Sequence, residues 1–144
     1  MTPSINIYTH NSKELMGLQR SLKGAGYEVN FHQEITANSA QKVLEKNPDF
    51  VLIDLEVNDS GGIDFCYQLK KENDAQFFVV VFSKHDEDYI QVEAFKAGAD
   101  DYIIKPINPR VFLKRLQALL KRINKTAIQQ PKFLNYRNLE VLHL

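Results

Sequence analysis

The chain lacks several residue types and patterns that particular kinds of site require. It holds a single cysteine, Cys66, and no tryptophan among its 144 residues. One cysteine excludes an internal disulfide and a zinc site built from cysteines. There is no apolar run near the length that crosses a bilayer, and the N-terminus has no signal-peptide pattern. We therefore expect no membrane association and a cytoplasmic location.

Acidic residues are missing from one part of the chain. Lys and Arg balance Asp and Glu at 18 each, yet the stretch 102–139 carries basic residues and no acid. Such a run is either a nucleic-acid contact surface or a solvated helix face. Aromatic residues are not interleaved with it as they are on base-stacking surfaces, which favours the solvated face.

What the chain does have is the pattern of one globular α/β domain. Hydrophobic residues make up 44% and charged residues 25% of the sequence, which is ordinary for a soluble protein. Three wholly apolar runs, 50–53, 77–82 and 102–104, suit strands covered on both faces. Two alternating runs, 4–8 and 27–31, predict two further strands. Amphipathic helices separate the strands, which predicts a doubly wound parallel sheet with right-handed crossovers.

The three apolar runs stop at reactive residues, namely Asp54, Ser83 and Lys105. Because parallel strands end along one edge of a sheet, these side chains are expected to converge there. A carboxylate can attack phosphorus and form an acyl phosphate, a lysine can pair with the added charge, and a hydroxyl can donate to a phosphoryl oxygen. The alternative is structural, with Asp54 ending a strand or capping the backbone groups of residues 59–66.

Taken together, these residues resemble the receiver domain of response regulators in two-component signalling, over about residues 3–124. The last matching stretch is most similar to the OmpR/PhoB-like subfamily. The resemblance is carried by Pro48-Asp49-Phe50-Val51-Leu52-Ile53-Asp54, Gly62-Ile63-Asp64, Ser83 and Gly98-Ala99-Asp100-Asp101-Tyr102-Ile103-Ile104-Lys105-Pro106.

The resemblance implies a flavodoxin-like (βα)5 fold with strand order 2-1-3-4-5. It implies that Asp54 accepts phosphate from a sensor histidine kinase and that Lys105 contacts the phosphoryl group. Ser83 and Tyr102 would be the switch pair, and a cis peptide would precede Pro106. Such a protein is a substrate of a kinase and is not expected to be a conventional enzyme.

The chain departs from the family at the end of the first strand, where two acidic residues usually bind Mg²⁺. Thr9 and His10 stand at those positions. Carboxylates supply most of the binding energy for Mg²⁺, so only Asp54 and, by analogy, the backbone carbonyl of Glu56 remain. We expect Mg²⁺ binding to be weak or absent.

Three side chains near this edge have two interpretations each. Glu56 either reaches inward and replaces some of the lost charge or faces solvent from a loop, and the second is favoured. Lys84 either pairs with Asp54 or is solvated, and solvation is the default. His10 is expected to fill space and hydrogen-bond locally, a transition-metal role being less favoured because no partner His or Cys is near.

Two functions follow from these observations. In the first, phosphorylation of Asp54 draws Ser83 inward and turns Tyr102, which reshapes the surface of the fourth helix, fifth strand and fifth helix. In the second, Asp54 is vestigial and the domain is a phosphorylation-independent dimerisation or interaction module. The retained Asp54, Ser83 and Lys105 favour the first function, and the missing acids favour the second.

The subfamily resemblance also implies an output. Active receivers of this kind pair through the fourth helix, fifth strand and fifth helix, and Asp101 and Arg115 stand where one charge pair is made. A second pair position carries Gln91 and Val111, so we expect a weak homodimer.

The domain boundaries follow from the same resemblance. Residues 1–124 are predicted to form the receiver, and 125–144 a linker and tail. The stretch 133–144 resembles the opening strand of a DNA-binding winged helix. It is interpreted either as the start of a truncated output domain or as a simple tail, and this chain alone is not expected to bind DNA specifically.

Overall fold

A parallel five-stranded sheet with helices on both faces forms the domain. A computed structural model describes residues 2–57, 61–71 and 76–129, with side chains described as far as residue 122. The strand order is β2-β1-β3-β4-β5, so the flavodoxin-like (βα)5 fold predicted from the sequence is confirmed. The strands are β1 (Ser4–Tyr8), β2 (Glu28–His32), β3 (Phe50–Asp54), β4 (Phe78–Ser83) and β5 (Asp101–Ile104).

The helices alternate with the strands along the chain. A short 3-10 helix, Ser12–Leu15, precedes the first of them. The α-helices are α1 (Met16–Gly24), α2 (Ser39–Lys46), α3 (Gly62–Lys70), α4 (Asp88–Lys96) and α5 (Pro109–Gln129). Within the described ranges, each helix is too short or too polar to cross a lipid bilayer.

The central strands are buried because both faces of the sheet are covered. Every residue of β3 and β4 is buried, whereas the edge strand β2 alternates between exposed and half-buried residues. This is why β3 and β4 are continuously apolar and β2 is not. The two faces of the sheet hold separate apolar clusters, one centred on Phe50, Leu52 and Phe112 and the other on Phe65 and Val81.

A buried ion pair fixes the chain that enters β5. Lys70 at the end of α3 lies 3.0 Å from the Asp100 carboxylate, which also accepts a hydrogen bond from the backbone N–H of Val79 in β4. Gly98 precedes this contact with a φ of 107°, and a Cβ there would lie 2.6 Å from the Cβ of Lys70. The close approach and the positive φ both require glycine at this position.

The last helix, α5, is longer than predicted from the sequence. Residues 125–129, predicted to begin a linker, continue α5 as helix. The reason is local, since neither proline nor glycine interrupts the chain between Pro109 and Pro131. The predicted tail at 130–144, with its winged-helix-like strand, lies outside the described residues.

Candidate functional site

Asp54 lies at the carboxyl end of β3 and is the most enclosed charged side chain of the strand ends. Its carboxylate is 1% exposed. One oxygen, Oδ2, accepts hydrogen bonds from Thr9 Oγ1 at 2.9 Å and from Lys105 Nζ at 3.0 Å. The other oxygen, Oδ1, accepts the backbone N–H of Glu56 at 3.0 Å. In the described residues the backbone group that Asp54 caps is the N–H of Glu56, whereas the structural alternative named those of residues 59–66. The convergence predicted from the strand ends is present.

Lys105 follows β5 and brings its ammonium group to the same edge. The peptide bond between Lys105 and Pro106 is cis, as the family resemblance implies. The ammonium lies 3.3 Å from the Glu56 carboxylate and 3.6 Å from that of Glu14, besides its contact with Asp54. Burial alone lowers the pKa of Lys105, but the hydrogen bond and charge of Asp54, with the charges of Glu14 and Glu56, outweigh it and raise that pKa. The lysine therefore stays cationic at neutral pH.

Ser83 ends β4 and is fully buried. Its hydroxyl donates to Glu56 Oε2 at 2.8 Å and accepts the backbone N–H of His85 at 3.0 Å. The three residues predicted to converge thus lie at one edge, with the Glu56 carboxylate bridging Ser83 and Lys105.

Tyr102 lies in the edge strand β5 and is hydrogen-bonded to the segment that follows β4. Its hydroxyl donates to the backbone carbonyl of His85 at 2.8 Å, and the side chain is buried. Burial raises the pKa of Tyr102, and the nearby charges of Glu56 and other acids add to that effect, against an opposing effect of the neighbouring Ser83 hydroxyl. The phenol therefore remains a donor at neutral pH. A continuous set of hydrogen bonds runs from Glu56 through Ser83 and His85 to Tyr102.

An open pocket of about 680 Å³ reaches Glu56 and Lys105 at this edge. His10 lines this pocket and is exposed, so the expectation that His10 fills space is wrong. Lys84 is exposed too, as the solvated interpretation requires. The pocket is lined by His10, Asn11, Glu14, Glu56, Lys84, Lys105 and Pro106.

The donors at this edge do not fit Mg²⁺. The ion needs near-octahedral oxygen ligands at about 2.0–2.1 Å. The Thr9 hydroxyl is already used as a donor to Asp54, and the Lys105 ammonium lies against both Asp54 and Glu56. Among the described residues, no group of three or more His, Cys, Asp or Glu side chains is arranged to hold a metal ion. Lys105 is instead the cation that lies against the Asp54 and Glu56 carboxylates.

The sequence profile of the response regulator receiver domain matches residues 10–117. The chain belongs to this family. The receiver is 33% identical over 109 residues to the alkaline phosphatase synthesis transcriptional regulatory protein PhoP of Bacillus subtilis, a match that covers 73% of this chain and 43% of that protein. It is 36% identical over 86 residues to the transcriptional regulatory protein ResD of the same species, covering 60% of this chain and 35% of the relative. The receiver thus spans less than half the length of these relatives.

Solved structures share the receiver's fold. The signal receiver domain of a Luxo repressor protein from Vibrio parahaemolyticus superimposes with a TM-score of 0.77 at 20% identity, covering 90% of this chain and 98% of that one. DrrB, described as a Thermotoga maritima OmpR/PhoB homologue, gives a TM-score of 0.71 at 24% identity over 85% of this chain and 54% of that one. At 20% and 24% identity these structures show that the fold is shared.

A second expectation from the sequence, on Glu56, is wrong. Glu56 was expected to face solvent, but its carboxylate turns inward to Ser83 and Lys105 and is 22% exposed. The reason is the turn after β3, in which the Asp54 side chain accepts the N–H two residues on. Aspartate commonly forms such a turn, so the spacing of Asp54 and Glu56 was an available signal.

Three further residues of the receiver site were missed by sequence reasoning. Thr9 was treated only as a poor substitute ligand, yet it is a buried donor to Asp54. Glu14 contacts Lys105 from the start of the α1 region, and His85 links Ser83 to Tyr102 through its backbone. Glu14 and Lys105 are far apart in the sequence, and His85 acts through its backbone atoms. A residue pattern therefore indicates neither contact.

Proposed function

We propose that this receiver accepts a phosphoryl group on Asp54 from a sensor histidine kinase and passes the change to the face formed by α4, β5 and α5. The observation that carries the proposal is the placement of Asp54. A buried carboxylate ends the central strand and is held at 3.0 Å by Lys105, which lines an open pocket. This arrangement provides a nucleophile, a fixed positive charge and a route for a donor.

The proposed transfer uses groups that the chain itself supplies. A carboxylate oxygen of Asp54 attacks phosphorus, and the bond between phosphorus and the imidazole nitrogen of the kinase's phosphohistidine breaks. The electron pair stays on that nitrogen, which takes up a proton. Lys105 neutralises part of the charge on the transferred group, because its ammonium already lies within hydrogen-bonding distance of Asp54.

The route to the surface is the set of hydrogen bonds through His85. Ser83 accepts from the His85 N–H, and the His85 carbonyl accepts from Tyr102. Tyr102 lies in β5 next to Asp101, whose carboxylate pairs with Arg115 of α5 at 2.9 Å. A shift of Ser83 toward a phosphoryl oxygen would therefore alter β5 and the ion pair beside it.

We further propose that this face is the site of a weak homodimer. Five of the eight large apolar side chains that are exposed in the described residues lie on α4, β5 and α5. They are Tyr89, Val92, Phe95, Ile104 and Val111. The charge pair of Asp101 and Arg115 is formed within one chain here, and in a two-fold dimer each arginine would exchange its own carboxylate for the partner's.

A second function is favoured by one specific observation. Glu56 already accepts hydrogen bonds from both Ser83 and Lys105, so these two donors are paired with a carboxylate of the same chain. In this alternative the receiver is a phosphorylation-independent interaction module. The transcriptional role that the names of the relatives state would need more than the receiver, and the expectation that this chain alone does not bind DNA specifically stays a prediction.

Labelling with acetyl phosphate, followed by intact-mass and peptide mass spectrometry, separates the two functions. The phosphoacceptor function predicts addition of one phosphoryl group at Asp54 in the wild type and none in Asp54→Asn. Asp49→Asn is the matched control, since Asp49 lies at the opposite end of β3 and accepts the N–H of Ser4. A wild-type protein that stays unlabelled, while retaining a homodimer, would support the interaction module instead.

A further inference from the structure

The Glu56 side chain makes a set of contacts that a solvent-facing loop acid would not make. Its Oε2 accepts from the Ser83 hydroxyl at 2.8 Å, and its Oε1 accepts from the Lys105 ammonium at 3.3 Å. Its own backbone N–H donates to Asp54 at 3.0 Å. Both oxygens of one carboxylate are therefore engaged by donors from two other strand ends, directly beside the acid of β3.

The same donors are the ones that an anion attached to Asp54 would need. A phosphoryl group bonded to the Asp54 carboxylate brings oxygens that must be paired with hydrogen-bond donors or cations. Lys105 is the ammonium in contact with Asp54, and Ser83 is the buried hydroxyl at the neighbouring strand end. In this structure both donors face the carboxylate of Glu56.

We propose that Glu56 is a positioning residue that acts as an internal anion in place of a phosphoryl group. It holds Ser83 and Lys105 on an acceptor beside Asp54 before phosphorylation, and an incoming phosphoryl group must displace it from both donors. The displacement of Glu56 by a phosphoryl group rests on the proposed phosphoacceptor function, whereas the positioning of Ser83 and Lys105 by Glu56 does not.

Two physical consequences follow. The hydrogen-bond chain from Ser83 through His85 to Tyr102 is ordered without phosphorylation, because the Ser83 hydroxyl has a fixed acceptor. Transfer to Asp54 is slowed, because a second carboxylate repels the anionic donor and competes for the ammonium of Lys105.

The positioning role is tested by amide hydrogen exchange, measured by NMR on the unphosphorylated protein. Loss of the acceptor in Glu56→Ala frees the Ser83 hydroxyl, so the His85 N–H loses its ordered partner. We expect its exchange to rise by about 3- to 10-fold, the equivalent of one hydrogen bond. The matched control is Glu14→Gln, which removes a charge 3.6 Å from Lys105 but has no hydrogen bond with Ser83, and it should leave His85 exchange at the wild-type rate. Equal exchange in Glu56→Ala and wild type overturns the inference.

The same measurement in a Ser83→Ala variant distinguishes an effect through the Ser83 hydroxyl from a general loosening of the turn after β3. If Glu56 acts through the Ser83 hydroxyl, then Glu56→Ala should have no further effect on His85 exchange once Ser83→Ala is present. A full additional increase in the double variant would mean that Glu56 acts on the backbone and not through Ser83, which also overturns the inference.

The displacement role is tested by the rate of acetyl phosphate labelling. Glu56→Gln keeps the shape and removes the charge, so labelling of Asp54 should be faster than in wild type by about tenfold. Glu14→Gln should give a smaller increase, because Glu14 is more exposed than Glu56 and lies farther from the Lys105 ammonium, at 3.6 Å. Labelling of Glu56→Gln at or below the wild-type rate overturns the displacement role. Absence of label in all variants contradicts the proposed phosphoacceptor function, and the exchange measurements then decide the positioning role on their own.

Discussion

Thr9 changes what the end of β1 can do at the level of one side chain. Where the family has a carboxylate, this hydroxyl is fully buried and donates to Asp54 at 2.9 Å. A donor at that position satisfies the Asp54 carboxylate instead of joining it to bind a cation. The neighbouring position does not compensate, since His10 is exposed. The charge that balances Asp54 therefore comes from Lys105.

We predict that Mg²⁺ binds with a dissociation constant on the order of 1 mM or weaker. Restoring the acids with Thr9→Glu and His10→Asp together should tighten binding and increase labelling by acetyl phosphate. The measurement is a Mg²⁺ titration followed by NMR shifts near Asp54. Sub-millimolar affinity of the wild type would show that Glu56 or another group compensates. Absence of any gain in the double variant would mean that Lys105 and Glu56 block the site.

His32 gives the fold a dependence on pH. Its ring stacks on Tyr8 with centroids 4.5 Å apart, and its Nε2 is buried without a hydrogen-bond partner among the described residues. Burial, with the charges of Lys46 and Lys42, lowers the pKa of His32 below its ordinary 6.5. The unfolded chain therefore takes up this proton more readily than the folded chain.

We predict that His32 lowers stability as pH falls. The free energy of unfolding should be unaffected by His32 above about pH 6.5 and should decrease as pH falls through the lower folded-state pKa. His32→Phe keeps an aromatic ring against Tyr8 but cannot titrate, so its stability should decline less between pH 7 and 5. Urea denaturation at several pH values measures this. Parallel pH profiles for the two proteins would contradict the prediction.

At the scale of elements, the start of α5 matters because this helix carries one side of the proposed output face. Asn108 caps this helix, and Pro109 is its first residue. The Asn108 side-chain oxygen accepts the N–H groups of Arg110 at 3.0 Å and Val111 at 3.2 Å. These bonds satisfy two amides that have no partner inside the helix.

We predict that Asn108→Ala lowers the free energy of unfolding by about 1 kcal/mol, the usual cost of losing such a cap. Asn108→Asp is the matched control, because its carboxylate can accept the same N–H groups and favours the helix N-terminus. It should retain most of the wild-type stability. Urea denaturation measures both variants. Equal losses in the two would show that the side-chain cap contributes little here.

At the scale of the whole molecule, the α4, β5 and α5 face combines exposed apolar groups with one ion pair. Exposed ion pairs contribute only about 0.2–1 kcal/mol each. If Asp101 and Arg115 exchange partners between two chains, the number of ion pairs stays the same. Apolar contact through residues such as Phe95 and Val111 must therefore provide the free energy of association.

We predict a weak homodimer in which Arg115→Glu weakens association by at least about fivefold, since repulsion from Asp101 is repeated across the two-fold axis. Sedimentation equilibrium at matched concentrations measures it. Lys114→Glu makes the same charge change one residue away and should affect association less. A wild-type dimer that Arg115→Glu leaves unchanged would place the interface elsewhere on the domain.

The sequence by itself determined the architecture of this receiver. Wholly apolar runs specify the buried strands β3 and β4, and alternating helices specify parallel order, because burial on both faces and right-handed crossovers leave few arrangements. The strand ends also place Asp54, Ser83 and Lys105 at one edge without further information. Even the missing Mg²⁺ ligands are visible as Thr9 and His10.

Only the tertiary structure decided which groups those residues contact. Whether Glu56 faces solvent or Ser83 depends on where the donors at the ends of β4 and β5 lie relative to the turn after β3. Periodicity reports which face of an element is buried, but not how a side chain at a turn is oriented. Hydrogen bonds are directional and short in range. The inward Glu56 and the donor role of Thr9 therefore emerged only when β1, β3, β4 and β5 were brought together.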